Sequence, residues 1–451
     1  MGIFSSRGKR HLDGHKDLTH HDEFIDIRGS VKNIYIPLVL PNRKEIELMV
    51  KEGDSVKVGT RIGTRTDFYV PYYSSISGVV KGVVSRFDAS SGRPVNHLVI
   101  ENDFEYTKEE GVLKTVTLES SQEEIFAAIK EAGLVGLGGA GFPTYVKYGK
   151  PDGIHSLLVN AVECEPYLTT DYHSIKNDAE YLLKGAQILV KALGADQAVI
   201  AFKVNKEDMK AKILELLPNY ENVKIVEVPD AYPMGWERTL VRQVFKKEYN
   251  ALPSEAGVVV NNAQTVISLG HALLDGEPLH HRLVTVSGDG VVNPNNVICP
   301  IWTPANEVIE ACGGYVDADI NLIPGGPMCG KAVLKDEFAL APQMGSLTVL
   351  KAVKYEQQAC LRCGECTMNC PSGLQPVEIQ IAVKKGDVER MLALKAKSCV
   401  ECGMCSYVCP SHIDVVENMR KAKLQIRVKE TKDALAQKKA ATNTTGANNA
   451  K

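Results

Sequence analysis

Twelve cysteines stand in this 451-residue chain, and eight of them lie between Cys360 and Cys409. They form two runs, Cys360-x-x-Cys363-x-x-Cys366-x-x-x-Cys370-Pro371 and Cys399-x-x-Cys402-x-x-Cys405-x-x-x-Cys409-Pro410. The two-residue gaps let three thiolates wrap one iron–sulfur cube, while the fourth cysteine, ahead of proline, points away and ligates the other cube. The spacing assigns Cys360, Cys363, Cys366 and Cys409 to one [4Fe-4S] cluster. Cys399, Cys402, Cys405 and Cys370 take the other. Two clusters at close range suit single-electron transfer. Structural zinc is the competing reading, but it uses four ligands, usually as two spaced pairs, not two runs closed by Cys-Pro. Cys164, Cys299, Cys312 and Cys329 are scattered and read as bystanders.

A second stretch, Gly136-Leu137-Gly138-Gly139-Ala140-Gly141, satisfies G-x-G-x-x-G. The dinucleotide fingerprint requires a strand before it and a helix after it. Here a helix precedes it and Phe142-Pro143-Thr144 follows, so the ordinary dinucleotide reading fails. Close approach of the backbone to a phosphate stays open, because glycine has no Cβ to block it. Gly325-Gly326-Pro327-Met328-Cys329-Gly330-Lys331-Ala332 nearly matches a Walker A loop. Ala332 stands where Ser or Thr must bind Mg²⁺, and Pro327 removes a cradle N–H, which argues against an ATPase. The doublets His20-His21 and His280-His281 lack spaced partners and read as surface residues.

Four separated segments carry a family resemblance. Gly138-Gly139-Ala140-Gly141-Phe142-Pro143-Thr144-Tyr145-Val146-Lys147 resembles the flavin loop of the NADH-oxidising, FMN-carrying subunit of respiratory complex I. Asn160-Ala161-Val162-Glu163-Cys164-Glu165-Pro166, Ala231-Tyr232-Pro233-Met234-Gly235-Trp236-Glu237 and Val260-Asn261-Asn262-Ala263-Gln264-Thr265 resemble three further segments of that subunit, in the same order. Over about residues 30–425 the chain resembles the RnfC component of the Rnf-type (ion-translocating) electron transport complex, which adds an N-terminal carrier-like barrel and a second cluster motif. The resemblance implies that Gly138, Gly139 and Gly141 approach FMN and that Lys147 neutralises its phosphate. It implies that Asn160, Glu163, Asn261, Asn262 and Thr265 hold the flavin, ribityl and phosphate groups. Glu165 and Phe142 would face NAD(H), and Tyr232, Gly235 and Glu237 would close the pocket. Val162, Leu137 and Trp236 depart from the complex I pattern.

The elements that must position these residues are legible in outline. Residues 1–30 read as a polar segment, opening on Met1-Gly2-Ile3-Phe4-Ser5-Ser6, a chance match to a myristoylation pattern. Residues 31–110 alternate short β runs with turns and resemble the lipoyl/biotinyl-carrier barrel. The hairpin tip that would bear the carrier lysine reads Thr66-Asp67-Phe68-Tyr69, so no swinging arm is expected. Residues 115–275 alternate helices and strands, an α/β domain with a largely parallel sheet. It opens with an amphipathic helix that Ser121 can cap. Residues 280–345 read as a small β-grasp-like (SLBB-type) unit, and 350–427 as a helical ferredoxin domain with two clusters. The polar stretch 428–451 is expected to be a disordered tail.

Composition bounds the function. Apolar residues make up 44% and charged residues 24%, with a formal net charge of −3, as in soluble globular proteins. No basic excess points to nucleic acid. No stretch approaches 18 apolar residues, so no transmembrane helix is expected. With no signal-peptide core after the N-terminus, the cysteines read as reduced thiols. Within those bounds, the family resemblance implies an oxidoreductase subunit on the cytoplasmic side of a membrane, peripheral to it. NADH would pass a hydride to FMN, and single electrons would move through two [4Fe-4S] clusters to other subunits or to ferredoxin. Its catalysis would come from the flavin and from no side chain. Two alternatives stay open: a corrinoid reductase of similar build, and a cluster-bearing adaptor without flavin.

Overall fold

Two kinds of strand build the larger part of the molecule, and their sequences differ accordingly. The strand Ser156–Ala161 is apolar almost throughout and buried along its length. That is the signature of a parallel strand covered on both faces. It lies in a four-stranded parallel sheet with Gln197–Lys203, Val223–Val228 and Val258–Asn262. By contrast, Gly78–Asp88 begins by alternating buried and exposed residues and pairs antiparallel with Arg93–Asn102. That pair belongs to a barrel with one wetted face. The computed structural model describes residues 10–39, 45–149 and 152–448, with side chains to 437. The Met1–Ser6 pattern lies outside the described residues.

The chain separates into two units. The larger comprises Leu12–Asp230 and Met234–Ala352; the smaller takes Ala231–Pro233 and Val353–Lys451, together with the N-terminal residues to His11.

In the larger unit the barrel consists of two antiparallel sheets. One orders Asn33–Pro37, Arg93–Asn102, Gly78–Asp88 and Ser55–Val56; the other orders Ile46–Leu48, Arg61–Arg65 and Pro71–Tyr73. Its Ile34, Ile36, Ile62 and Ile76 share one core with Val284, Val286, Val297 and Leu347 of the small β domain. Burial of each such side chain stabilises the fold by about 1.5–3 kcal/mol. The small domain is a five-stranded sheet around the helix Ala305–Ala311. One of its edge strands is Phe24–Asp26, paired parallel to Asn295–Pro300. The segment expected to be only a polar lead-in therefore supplies a strand. Short and charged, it showed no periodicity of its own, and its pairing partner lies some 270 residues away. The same sheet takes Ser346–Lys351, just beyond the expected edge at 345.

The α/β sheet runs in the order third, second, first, fourth strand of its domain. The order in which strands are added reverses between the first strand, Ser156–Ala161, and the fourth, Val258–Asn262, which pair in parallel. Open parallel sheets bind ligands outside the carboxyl ends of the strands at such a reversal. The helix Gln122–Glu131 carries the expected Ser121 cap, closed by Glu124 as a capping box. Three helices add to the sequence reading: Thr170–Asn177, Glu207–Leu216 and Ala263–Leu274.

The smaller unit is helical. Glu365–Met368 lies within the first cysteine run and Pro376–Lys385 follows it; Met404–Tyr407 lies within the second and Val415–Asn448 follows it. The last helix corrects the expectation of a disordered tail after 427. Its composition is rich in Ala and Lys, which are strong helix formers, and low hydrophobicity alone did not reveal that. Ile426 is buried at its root, and Lys429 reaches Glu389 at 2.8 Å.

Candidate functional site

The reversal point of the parallel sheet gathers most of the residues singled out from the sequence. Asn160 is the last residue but one of the first strand and Asn261-Asn262 end the fourth, with Asn160 and Asn262 opposed in register. Asn262 caps the helix Ala263–Leu274: its side-chain oxygen accepts from the N–H groups of Gln264 (2.9 Å) and Thr265 (3.3 Å). The glycine loop is pinned to the same helix start, because Leu137 N–H donates to Thr265 Oγ1 at 3.0 Å. A Cβ at Gly138 would lie 2.6 Å from Asn262 Nδ2, so only glycine fits there. Gly139 faces open space. Gly141, at φ +65°, turns the chain beside Gln343. Asn261 donates to the Tyr148 hydroxyl.

The charged groups are mostly enclosed. Lys147 is carried on the 3₁₀ turn Thr144–Tyr148 and donates to Val260 O at 2.7 Å. Burial pulls its pKa down, opposed by Glu237. No ion pair engages it among the described residues. A buried ammonium held by a carbonyl alone is costly, and an anionic group beside it relieves that cost. Asn160 donates to Gly235 O at 2.7 Å. Glu237 begins the helix Glu237–Phe245 and accepts from the Tyr249 hydroxyl at 3.0 Å. Glu163 accepts from Asp171 N–H at 2.6 Å and pairs with Lys16 at 3.3 Å. A Cβ at Gly235 would press on Cys164 Sγ at 3.0 Å. Burial pushes the Cys164 thiol up to about 11, as in a packed, inert cysteine.

Two members of this set escaped the sequence reading. Asp171 accepts from Asn262 Nδ2 (2.9 Å) and Gln264 Nε2 (2.6 Å). Burial, with help from neighbouring Glu163, pushes its carboxyl up to about 6. Gln264 in turn accepts from Arg282 at 2.8 Å. The signal available was an acidic residue in a helix's first turn, five residues after Pro166. Lys16 was missed because it lies in the segment read as a lead-in.

Glu165 and Tyr232 sit differently from the pocket roles expected of them. The Glu165 carboxylate accepts from the N–H groups of Met328 (3.1 Å) and Cys329 (3.0 Å). A Cβ at Gly326 would lie 2.2 Å from its Oε2. The near-Walker loop thus spends its backbone donors on a carboxylate of the chain itself. Tyr232 belongs to the smaller unit, is buried, and donates to Cys402 O at 2.6 Å. Phe142 is 43% exposed.

In the smaller unit one cavity is lined by Cys370, Cys399, Cys402 and Cys405, with Leu374, Val416 and Met419 around them. This is the set of four that the spacing assigns to one cluster. Backbone N–H groups of Leu374 and Glu401 reach Cys370 Sγ and Cys399 Sγ at 3.4 Å each. Such donors stabilise ligating thiolates. Burial pushes the Cys402 thiol up to about 12. Of the other set, Cys360 and Cys363 are exposed and Cys366 is buried. Gln358 N–H donates to Ser411 O at 3.0 Å, bringing the segment before Cys360 against the one after Cys409. Among the described residues no group of three or more His, Cys, Asp or Glu side chains is arranged around a single metal ion.

A crevice with a glycine loop at the carboxyl ends of a parallel sheet and a cavity of four thiols fit a class of multidomain proteins that join an FMN-binding domain to a 4Fe-4S dicluster domain, the class that the family models give. Family models match accordingly. The Nuo51 FMN-binding domain matches residues 129–271, the RnfC barrel sandwich hybrid domain 4–105, the SLBB domain 283–332 and the 4Fe-4S dicluster domain 359–413. The RnfC component of the Na⁺-translocating ferredoxin:NAD⁺ oxidoreductase complex of Acetobacterium woodii is 33% identical, over 77% of this chain and 80% of that protein. Its counterpart in the ion-translocating oxidoreductase complex of Rhodobacter capsulatus is 35% identical, over 86% of this chain and 76% of that one. The counterpart in the proton-translocating ferredoxin:NAD⁺ oxidoreductase complex of Clostridium ljungdahlii is 32% identical, over 84% and 85%. The chain belongs to the RnfC family, a subunit family of ion-translocating oxidoreductase complexes. An NAD⁺-reducing [NiFe]-hydrogenase crystal structure shares the fold, with TM-score 0.50 and 20% identity over 69% of this chain and 64% of that one. Among the described residues no helix is long and apolar enough to cross a membrane.

Proposed function

We propose that this chain is the peripheral NADH-interacting subunit of an ion-translocating ferredoxin:NAD⁺ oxidoreductase complex, on the cytoplasmic face of the membrane. Its partners would be the other subunits of that complex, with ferredoxin as a further electron partner. FMN, held without a covalent bond, would supply the change from two-electron hydride chemistry to single-electron transfer. The chain's own residues would bind and orient. Gly138 and Gly139 leave room for a phosphate or ring against the backbone. Lys147 would set its buried ammonium against the FMN phosphate. Asn160, Asn261, Asn262 and Thr265 would present amide and hydroxyl groups along the crevice. Glu163 would hold its position through Asp171 N–H and Lys16. Gly235 and Glu237 would border the pocket, Phe142 would offer a ring to the nicotinamide nucleotide, and Glu165 would act by holding the 326–330 loop. The two sets of four cysteines would hold two [4Fe-4S] clusters.

The observation that carries this reading is the placement of an open glycine loop and a buried, carbonyl-held lysine at the reversal point of a parallel sheet. The experiment is anaerobic titration of the purified, cluster-reconstituted chain with NADH. The expected result is one FMN and about eight irons per chain, with flavin absorbance bleached by NADH. A chain that holds clusters but no flavin, or a flavin that NADH leaves oxidised, overturns the reading. Lys147→Ala is expected to lose FMN while keeping its iron.

A further inference from the structure

The hairpin between Arg61–Arg65 and Pro71–Tyr73 is where a carrier barrel would display its lysine, and here it is built into the neighbouring domain instead. Arg65 clamps Asp67 through two bonds, Nε to Oδ1 at 2.9 Å and Nη2 to Oδ2 at 2.7 Å. Asp67 also accepts from Phe68 N–H at 2.9 Å. Tyr69 donates its hydroxyl to Glu131 at 2.6 Å, and its N–H reaches the Tyr145 hydroxyl at 3.3 Å. The tip is thus fixed against the helix that leads into the glycine loop and against the turn that follows it. Phe68 then meets Phe142 edge to face, ring centroids 5.8 Å apart at 71°. Both rings stay open to solvent, Phe68 at 38% and Phe142 at 43%. Beside them, a cavity of about 290 Å³ is lined by Arg65 and Asp67 of the barrel, Ala140 and Gly141 of the loop, and Gln343. A rigid, half-exposed aromatic pair set edge to face at the end of a glycine loop presents the flat face of one ring, with the other ring standing nearly perpendicular beside it. A planar heteroaromatic base covers such a ring face well, since every base has a π face.

The geometry points to the barrel tip as part of the nucleotide site: Phe68 stacks on a base of the nicotinamide dinucleotide, and Phe142, nearly perpendicular to Phe68, meets that base at its edge. This rests on the proposed reading of the crevice as a flavin and NAD(H) site. The barrel is then a wall of that site, with an aromatic at the tip where a carrier barrel has its lysine.

The test is calorimetric binding of NAD⁺ to the full FMN-loaded chain, with FMN content and melting temperature measured on each variant. Phe68→Ala is expected to weaken NAD⁺ binding about five- to tenfold, with FMN content unchanged. Phe68→Trp is expected to restore binding to within about twofold of the original, since the ring and not the residue is what matters. In steady state the Phe68→Ala defect should fall on KM for NADH, with kcat nearly unchanged. Unchanged NAD⁺ affinity in Phe68→Ala overturns the inference; if Phe142→Ala weakens binding in the same series, the function proposed above survives. Failure of Phe68→Trp to restore binding also overturns it, because the loss then comes from a disturbed hairpin. An unsubstituted chain that holds FMN but binds no NAD⁺ removes both readings together.

Discussion

The two cysteine runs share a backbone and differ in their surroundings. Every cysteine of the second run follows its counterpart by thirty-nine residues, and so do the helix starts Glu365 and Met404, Pro376 and Val415. The left-handed residues recur in step. Arg362 (φ 54°) matches Glu401 (56°), Gly364 (83°) matches Gly403 (73°), and Gly373 (64°) matches His412 (50°). The loop conformation that sets the thiols is therefore built twice. The cover is not. Cys360 and Cys363 are exposed, as is Leu361 between them, at 70%. Cys402 is buried, and its neighbours line a cavity closed by Val416 and Met419 of the long final helix. Equal ligand geometry with unequal burial teaches that spacing decides what is bound, while packing decides how wet and how polar its setting is. A cluster's potential depends on solvent exposure and on hydrogen bonds to its sulfurs. An extra electron is held less well in an enclosed, low-dielectric site. The enclosed set should hold its cluster at the lower potential, and the exposed set should be where electrons leave or arrive.

Breaking the two halves separately gives the largest expected effect. Cys363→Ala should drop the iron content from about eight to about four per chain and leave the fold standing. Cys402→Ala should lose the same iron and also collapse the packing of the helical unit, read by circular dichroism and proteolysis. Equal damage from both would end the distinction between an open and an enclosed half.

A carboxylate in the larger unit offers a contrast in sign with the enclosed half. Asp171 has its folded carboxyl raised from 3.8 to about 6, chiefly by burial. Its stabilising contribution is complete below pH 3.8 and is lost as pH rises through about 6. Asp171→Asn should flatten the fall in stability across that window, a difference on the order of 3 kcal/mol between its ends. Chemical denaturation at a series of pH values checks it, and a slope unchanged in the variant would remove Asp171 as its source.

Glu401 shows the opposite linkage. Burial raises its carboxyl, but Lys423 and Arg420 outweigh burial and hold it below 4.5. Its stabilising contribution is present above pH 4.5 and disappears as pH falls below it. Glu401→Gln should cost about 1 kcal/mol at pH 7 and nothing at low pH. Arg362→Gln, at the matching position of the exposed run, should cost less. A larger penalty at Arg362 would invert the comparison.

The smallest expected effect sharpens the backbone side of it. Gly373→Ala places a Cβ on a residue at φ +64° and should cost about 1 kcal/mol. His412→Gly frees a strained φ but gives up the stack on Tyr355, whose ring lies 4.4 Å away. Its net change should be within about 0.5 kcal/mol of zero, measured by urea unfolding.

Some of this molecule was legible in the residues themselves. The Ser121 cap and the parallel sheet follow from spacing and periodicity, the carrier-like barrel from a family resemblance, and the proposed partition of eight cysteines into two sets from their spacing. Those are local properties, since a two-residue gap or a 3.6-residue repeat constrains geometry wherever the segment lies. What spacing leaves open is which distant segments meet. The strand Phe24–Asp26, Lys16 beside Glu163, Asp171 beneath Asn262, Glu165 on the Met328 and Cys329 N–H groups, and Phe68 against Phe142 all join parts of the chain that carry no mark of one another. The sequence alone determined the ligand types and the elements that hold them. Tertiary packing decided which half of the cluster unit is enclosed, which carboxylates lose their water, and which aromatic stands at the glycine loop. Burial is a property of the assembled core, and no single segment carries it.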